Sequence, residues 1–154
     1  MYSSSSQNIN YAGVTAFLAD LIRTPSVNPP GNEGAVAALM AAKLSALGLE
    51  TMTVEAAPGR PSVIGKLAGS GNGPKLLLNG HMDVQPPGHH WTRDPFAATI
   101  EGRRIYGQGA MDMKAGLAAI VYALEYLKDT GCCLAGDVIV TAVADEVCGG
   151  HFGT

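Results

Sequence analysis

The chain has 154 residues, 47% hydrophobic and 15% charged, a balance that can bury a core and excludes a disordered chain. Its formal net charge of −3 argues against nucleic acid or an anionic membrane surface as a partner. The polar start MYSSSSQNIN lacks the basic and apolar regions of a signal peptide. The longest apolar run, Leu117 to Leu124, is far short of the roughly 20 residues that a membrane span needs. Cys132, Cys133 and Cys148 are odd in number and two are adjacent, a poor disulfide framework; reduced thiols in a cytoplasmic protein are the expectation.

Val14, Phe17, Leu18, Leu21 and Ile22 recur at helical spacing, which predicts a helix from about Asn10 to Arg23 with one buried stripe. RTPSVNPPGN breaks it. A second helix follows, with Asn32 as expected N-cap, Val36, Leu39, Met40, Leu44 and Leu47 as its stripe, and Gly48 as its stop. Glu50–Glu55 alternates as a half-exposed strand, and Ser62–Leu67 reads as another after the PGRP turn. The glycines of GSGNGP fit a turn, since no helix follows to make a phosphate loop. Lys75–Asn79 reads as a short buried strand, and Thr99–Tyr106 as a strand pair or one bent strand. The longest helix is expected from Asp112 to about Asp129, closed by Gly131, and the last strand over Asp137–Val143. This order predicts a layered α/β domain with a mixed sheet.

Three polar sites fall just past strand ends or at the start of the following helix: His81 with Asp83, Asp112, and Asp145 with Glu146. That edge is where open α/β sheets bind ligands. One histidine among several carboxylates is zinc chemistry. His81 and Asp83, two apart, leave an extended backbone on one face, so Asp83 can accept the ring N–H that His81 does not use for metal. Glu146 suits a general base that deprotonates water. Taken singly, each has a plainer reading: His-x-Asp as a loop ion pair, Asp112 as a helix cap, Asp145–Glu146 as a solvated turn. His89 and His90 read as exposed histidines, and Cys148 as a packed thiol.

The runs NGHMDVQPP (Asn79–Pro87), Trp91 with TRDPF (Thr92–Phe96), IYGQGAMDMKAG (Ile105–Gly116) and DEVCGGHFGT (Asp145–Thr154) resemble, in order and spacing, a known family. It is the zinc-dependent deacylase and exopeptidase family of acetylornithine deacetylase, succinyl-diaminopimelate desuccinylase, aminoacylase and glutamate carboxypeptidase. The resemblance implies an aminopeptidase-like α/β/α sandwich and two zinc ions acting on the amide of an N-acyl amino acid or small peptide. By position, His81 matches a zinc ligand, Asp83 the carboxylate that orients it, Asp112 the carboxylate bridging the zinc ions, and Glu146 the catalytic base. It also implies a cis peptide after Asp112. At the next position after Glu146 the family usually has a second glutamate as ligand; here stands Val147. Gln108 and Ala115 are lesser departures.

Family members are much longer, and they supply another carboxylate, a distal histidine, substrate contacts and a dimerisation domain downstream. The expectation is therefore a polar tail over residues 1–9 and, over 10–154, the N-terminal part of a catalytic domain. Zinc should bind weakly or not at all, and the chain alone should be inactive. Family homodimers form through the domain not expected here. The rival reading is a non-catalytic fragment or pseudoenzyme kept as a binding or interaction domain.

Overall fold

The computed structural model describes residues 9–153. The polar tail expected over residues 1–9 therefore lies, Ile9 apart, outside the described residues. Helix α1 (Tyr11–Arg23) starts where Asn10 Oδ1 accepts from the Gly13 backbone at 2.9 Å. Helix α2 (Gly34–Ala46) leads to an antiparallel pair, β1 (Glu50–Glu55) and β2 (Pro61–Leu67). Strand β3 (Leu76–His81) precedes a small hairpin of β4 (Thr99–Glu101) and β5 (Arg104–Tyr106), resolving the Thr99–Tyr106 segment as a pair. Helix α3 (Ala115–Asp129) and strand β6 (Val138–Val143) follow.

The main sheet has the order β1-β2-β6-β3, with β3 parallel to β6 and the other pairs antiparallel. It is mixed, as expected. Val63, Val140 and Ala142 on one face share one buried cluster with Val36, Met40 and Leu44 of α2, Leu117, Val121 and Leu124 of α3, and Leu21 and Ile22 of α1, which packs on α3. Burying each large side chain of this set is worth about 1.5–3 kcal/mol, which is what holds the helices to the sheet.

On the opposite face stand Met52, Ile64, Ile139 and Leu77, and no helix of the described residues covers them. Two expectations change accordingly. Met52 and Val54 of β1 are exposed, at 56% and 44%, because their alternation points to this open face. Strand β3 is not buried along its length: Leu76 and Leu77 are exposed, Leu78 is half-buried against the core, and Gly80 and His81 at its end are buried.

Asn32 does not cap α2. The residue before the helix is Glu33, whose carboxylate is held by Arg60 and makes no cap bond. Gly48 ends the helix as expected, at φ 77° with its N–H on Ser45 O. The third helix begins three residues later than Asp112, since Asp112 (φ −125°, ψ 99°) and Met113 (φ −132°, ψ 33°) are outside helical geometry. Asp112 is therefore no N-cap. It sits in a wide turn, Ala110–Lys114, in which Lys114 N–H reaches Gly109 O five residues back.

Candidate metal centre

Because β3 and β6 run parallel, with His81 opposite Val143, the chain leaves both strands at the same sheet edge. There His81 Nε2 lies 3.0 Å from Asp112 Oδ1 and 3.5 Å from Glu146 Oε2. The other ring nitrogen, Nδ1, lies 2.9 Å from the Asp83 backbone carbonyl and 3.4 Å from the Asp83 carboxylate. Both of these accept only, so Nδ1 donates and Nε2 faces the mouth of the site. Asp83 is buried, whereas the side chains of Asp112 and Glu146 are 80% and 53% exposed. The structure thus brings together all four side chains singled out in the sequence, with the ring anchored inside and two carboxylates at the solvent mouth.

Local geometry explains the approach. A Cβ on Gly80 would fall 2.8 Å from Met113 Cε and 2.9 Å from Leu117 Cδ2, so glycine lets the wide turn close onto the end of β3. The Asp112–Met113 peptide is cis. Asp145, in the left-handed region at φ 67°, turns the chain out of β6 into a single helical turn, Glu146–Cys148. Asp83 fixes that turn from behind: Glu146 N–H donates to its Oδ1 at 3.2 Å and Val147 N–H to its Oδ2 at 3.1 Å.

The electrostatics follow from these contacts. The Asp83 side chain beside it raises the His81 pKa to about 9; burial opposes this, while Asp112, the Asp83 carbonyl and Glu146 add to it. For Asp83, burial is the largest single influence and pushes upward. The hydrogen bonds from His81, Asn28 and the Val147 backbone outweigh it and hold the carboxyl below its usual range.

The donors fit a divalent metal in kind: an imidazole nitrogen with its other N–H secured, beside carboxylate oxygens. They fall short in number. Among the described residues no group of three or more His, Cys, Asp or Glu side chains has the arrangement of a complete metal site. Val147 lines a cavity of about 250 Å³ together with Gln85, Gly109 and Asp112, and offers it only methyl groups. His89 and His90 are exposed, as expected, but so is Cys148, which lies on the solvent side of the Glu146–Cys148 turn rather than packed.

Sequence reasoning missed a buried polar group behind the site. Asn28, Glu33, Arg60 and Lys114 are all buried. The signal available was faint: charged residues within apolar or glycine-rich stretches, with nothing in their spacing to pair them.

The profile of the family described as Peptidase family M20/M25/M40 matches residues 77–154. Succinyl-diaminopimelate desuccinylase of Gluconobacter oxydans is 42% identical over 142 residues, covering 90% of this chain and 36% of that protein. The desuccinylase of a Methylobacterium species is 42% identical over 136 residues, 85% of this chain and 34% of that one. Among solved structures, an M20 family metallo-carboxypeptidase from Sulfolobus solfataricus superposes with a TM-score of 0.76 at 28% identity, over 87% of this chain and 31% of that one. The Saccharomyces cerevisiae di-peptidase Dug1p gives 0.77 at 19% identity, a likeness of fold, over 90% of this chain and 33% of that one. The chain spans about a third of the length of the curated relatives it matches. With its site edge and the motifs around His81, Asp112 and Glu146 inside the matched span, the chain belongs to peptidase family M20/M25/M40.

Proposed function

We propose that this chain carries the histidine side of a metal centre and the general base of an amide hydrolase whose substrate is an N-acyl amino acid or small peptide. The observation that carries the reading is the meeting of His81 Nε2 with Asp112 and Glu146 at 3.0 and 3.5 Å, while Asp83 holds the ring from behind. His81 and Asp112 would hold zinc, which when bound supplies Lewis acidity to an amide carbonyl and acidifies water. Glu146, exposed beside them, would take the proton from that water at Oε2 and return it to the leaving amine. Asp83 keeps the Nδ1 proton in place, so the proton that a metal would displace is the one on Nε2. A cytoplasmic location belongs to the same proposal and rests on the cysteine pattern.

Val147 favours a second reading, that of a chain retained for binding without catalysis. It stands beside Asp112 with a side chain that cannot ligate. Hydrolysis of N-succinyl and N-acetyl amino acids with added zinc separates the two. The first reading assigns this chain part of the machinery and expects no turnover from it alone. It expects turnover to appear when the remainder of a desuccinylase is supplied to the Val147→Glu form, and to vanish with Glu146→Gln. A supplemented Val147→Glu form that stays inactive would favour the second reading.

A further inference from the structure

Behind the candidate centre runs a chain of buried polar groups, Glu33, Arg60, Asp145, Asn28 and Asp83. Arg60 Nε donates to Glu33 Oε2 at 2.6 Å and Arg60 Nη2 to Glu33 Oε1 at 2.9 Å, a two-point pairing. The same Nη2 donates to Asp145 Oδ1 at 2.8 Å. Asn28 Nδ2 donates to Asp145 Oδ1 at 3.0 Å and to Asp83 Oδ2 at 2.8 Å. Both carboxylates only accept, so the amide nitrogen must face them, and its two hydrogens bridge one to the other.

The scaffold around this bridge is stitched to the exit of β3. Asn28 N–H donates to Val84 O, Val84 N–H to Ser26 O, and Ser26 Oγ to Met82 O. The loop at Gly31 passes so close to Arg60 that a Cβ there would fall 2.1 Å from the guanidinium carbon, and its φ of 87° suits glycine. The Phe152 ring lies 5.4 Å from the guanidinium on another side. An arrangement this confined fixes geometry rather than charge alone.

We infer that Asn28 and Arg60 are positioning residues: through Asp83 and Asp145 they set the direction of the His81 ring and of the turn that carries Glu146. Asp83 is the hub, since its Oδ2 accepts from Asn28 and from Val147 N–H while its Oδ1 accepts from Glu146 N–H and faces His81. Asp145 is the hinge, because its left-handed backbone turns the chain from β6 into the Glu146 turn. Among the described residues, the Asn28 amide is the one side chain that donates to both carboxylates. The inference rests on the proposed metal-centre reading for its purpose but not for its geometry.

The test uses the full chain, labelled with nitrogen-15, as the parent and as Asn28→Ala and Arg60→Lys. Amide exchange at Glu146 and Val147 reads the hydrogen bonds to Asp83, and the imidazole nitrogens of His81 read zinc added to the millimolar range. Asn28→Ala is expected to speed exchange at both amides by on the order of tenfold. It should also weaken the response of His81 to zinc, while amides of α3 such as Val121 stay protected. Arg60→Lys keeps the charge but loses the two-point grip, and is expected to speed exchange at Glu146 alone. Parental exchange at Glu146 in both variants, with an undiminished zinc response, would overturn the inference. If Asn28→Ala does not fold, Arg60→Lys decides, and an unchanged Glu146 amide there is the overturning result. A parent whose His81 ignores zinc would instead sink the metal-centre reading, and amide exchange, which involves no metal, would still judge the network.

Discussion

The backbone N–H of Val147 donates to Asp83 Oδ2 at 3.1 Å, so this residue helps to hold the carboxylate behind His81 while its side chain gives the metal side nothing. Position and side chain are thus separable. Val147→Glu keeps the hydrogen bond and places a carboxylate in the cavity that Val147 shares with Asp112. We expect zinc affinity, measured by calorimetry, to rise at least the 10- to 100-fold that even outer partners of a metal site are worth. Turnover of N-succinyl amino acids should remain absent, since the chain spans about a third of its curated relatives and substrate positioning supplies several orders of magnitude of rate. Unchanged zinc affinity would place Val147 off the metal side.

Asp145 gives a pH dependence of definite sign. Its hydrogen bond from Asn28, the largest influence, and its contacts with Arg60 hold its carboxyl below the usual range against burial. A depressed folded pKa means stability that is fully present above the unfolded value of about 4 and lost as pH falls through the folded value. Urea unfolding followed from pH 6 downward should therefore show a loss of stability that begins near pH 5 and steepens below 4. In Asp145→Asn, which cannot titrate, stability is expected to start lower and the acid limb to flatten. A parallel curve for that variant would assign the acid sensitivity to other carboxylates.

The candidate site was legible where chemistry and strand exits coincide. His81, Asp83, Asp112 and Glu146 announce themselves by residue type; the parallel register of β3 and β6 brings His81, Asp83 and Glu146 to one edge, and the wide turn carries Asp112 to it. The helices were legible because their stripes follow the helical period. Asp112 was misread as a possible cap because φ and ψ in the wide turn leave no trace in residue type. The exposure of Met52 and Leu77 was hidden for another reason: alternation shows which residues share a face, not whether that face is covered. Asn28 and Arg60 were missed because buried ion networks depend on pairings between distant loops, and a single sequence does not display them.

Lys114 is the largest fully buried side chain among the described residues, and its ammonium is committed to the end of α1. Nζ donates to Leu21 O at 2.7 Å and to Thr24 O at 2.8 Å, two carbonyls at the end of the helix, of which Leu21 O also accepts from Thr24 N–H at 3.3 Å. Burial lowers its pKa to about 8. Lys114→Met keeps the stem but strips Thr24 O of its donor and Leu21 O of one of its two, at about 2–4 kcal/mol. Thermal unfolding should fall by roughly 5–15 °C for a chain of this size. Lys114→Arg is expected to fare no better, because the pocket is closed around a single nitrogen and a guanidinium is larger. A variant with Met that melts with the parent would mean that water satisfies both carbonyls.

The open face of the sheet sets the behaviour of the chain in solution. Leu77 is paired in register with Ile139, itself beside Lys66, and Leu76 and Leu77 are 53% and 60% exposed. Strand β3 has a partner only in β6, so among the described residues its outer edge has free backbone groups next to exposed leucines. Such an edge pairs readily with another strand, and contiguous apolar surface favours association. Sedimentation velocity of the purified chain should therefore show concentration-dependent oligomers. Leu77→Lys places a charge in the middle of the face without touching the helical side, where the core and the helices are packed, and should shift the distribution toward monomer. Its melting temperature should stay within a few degrees of the parent, because an exposed substitution away from the core changes stability by only about 0.5 kcal/mol. A parent that remains monomeric at high concentration would show that the twist of the sheet and the Glu50–Lys66 ion pair across β1 and β2 protect this face sufficiently.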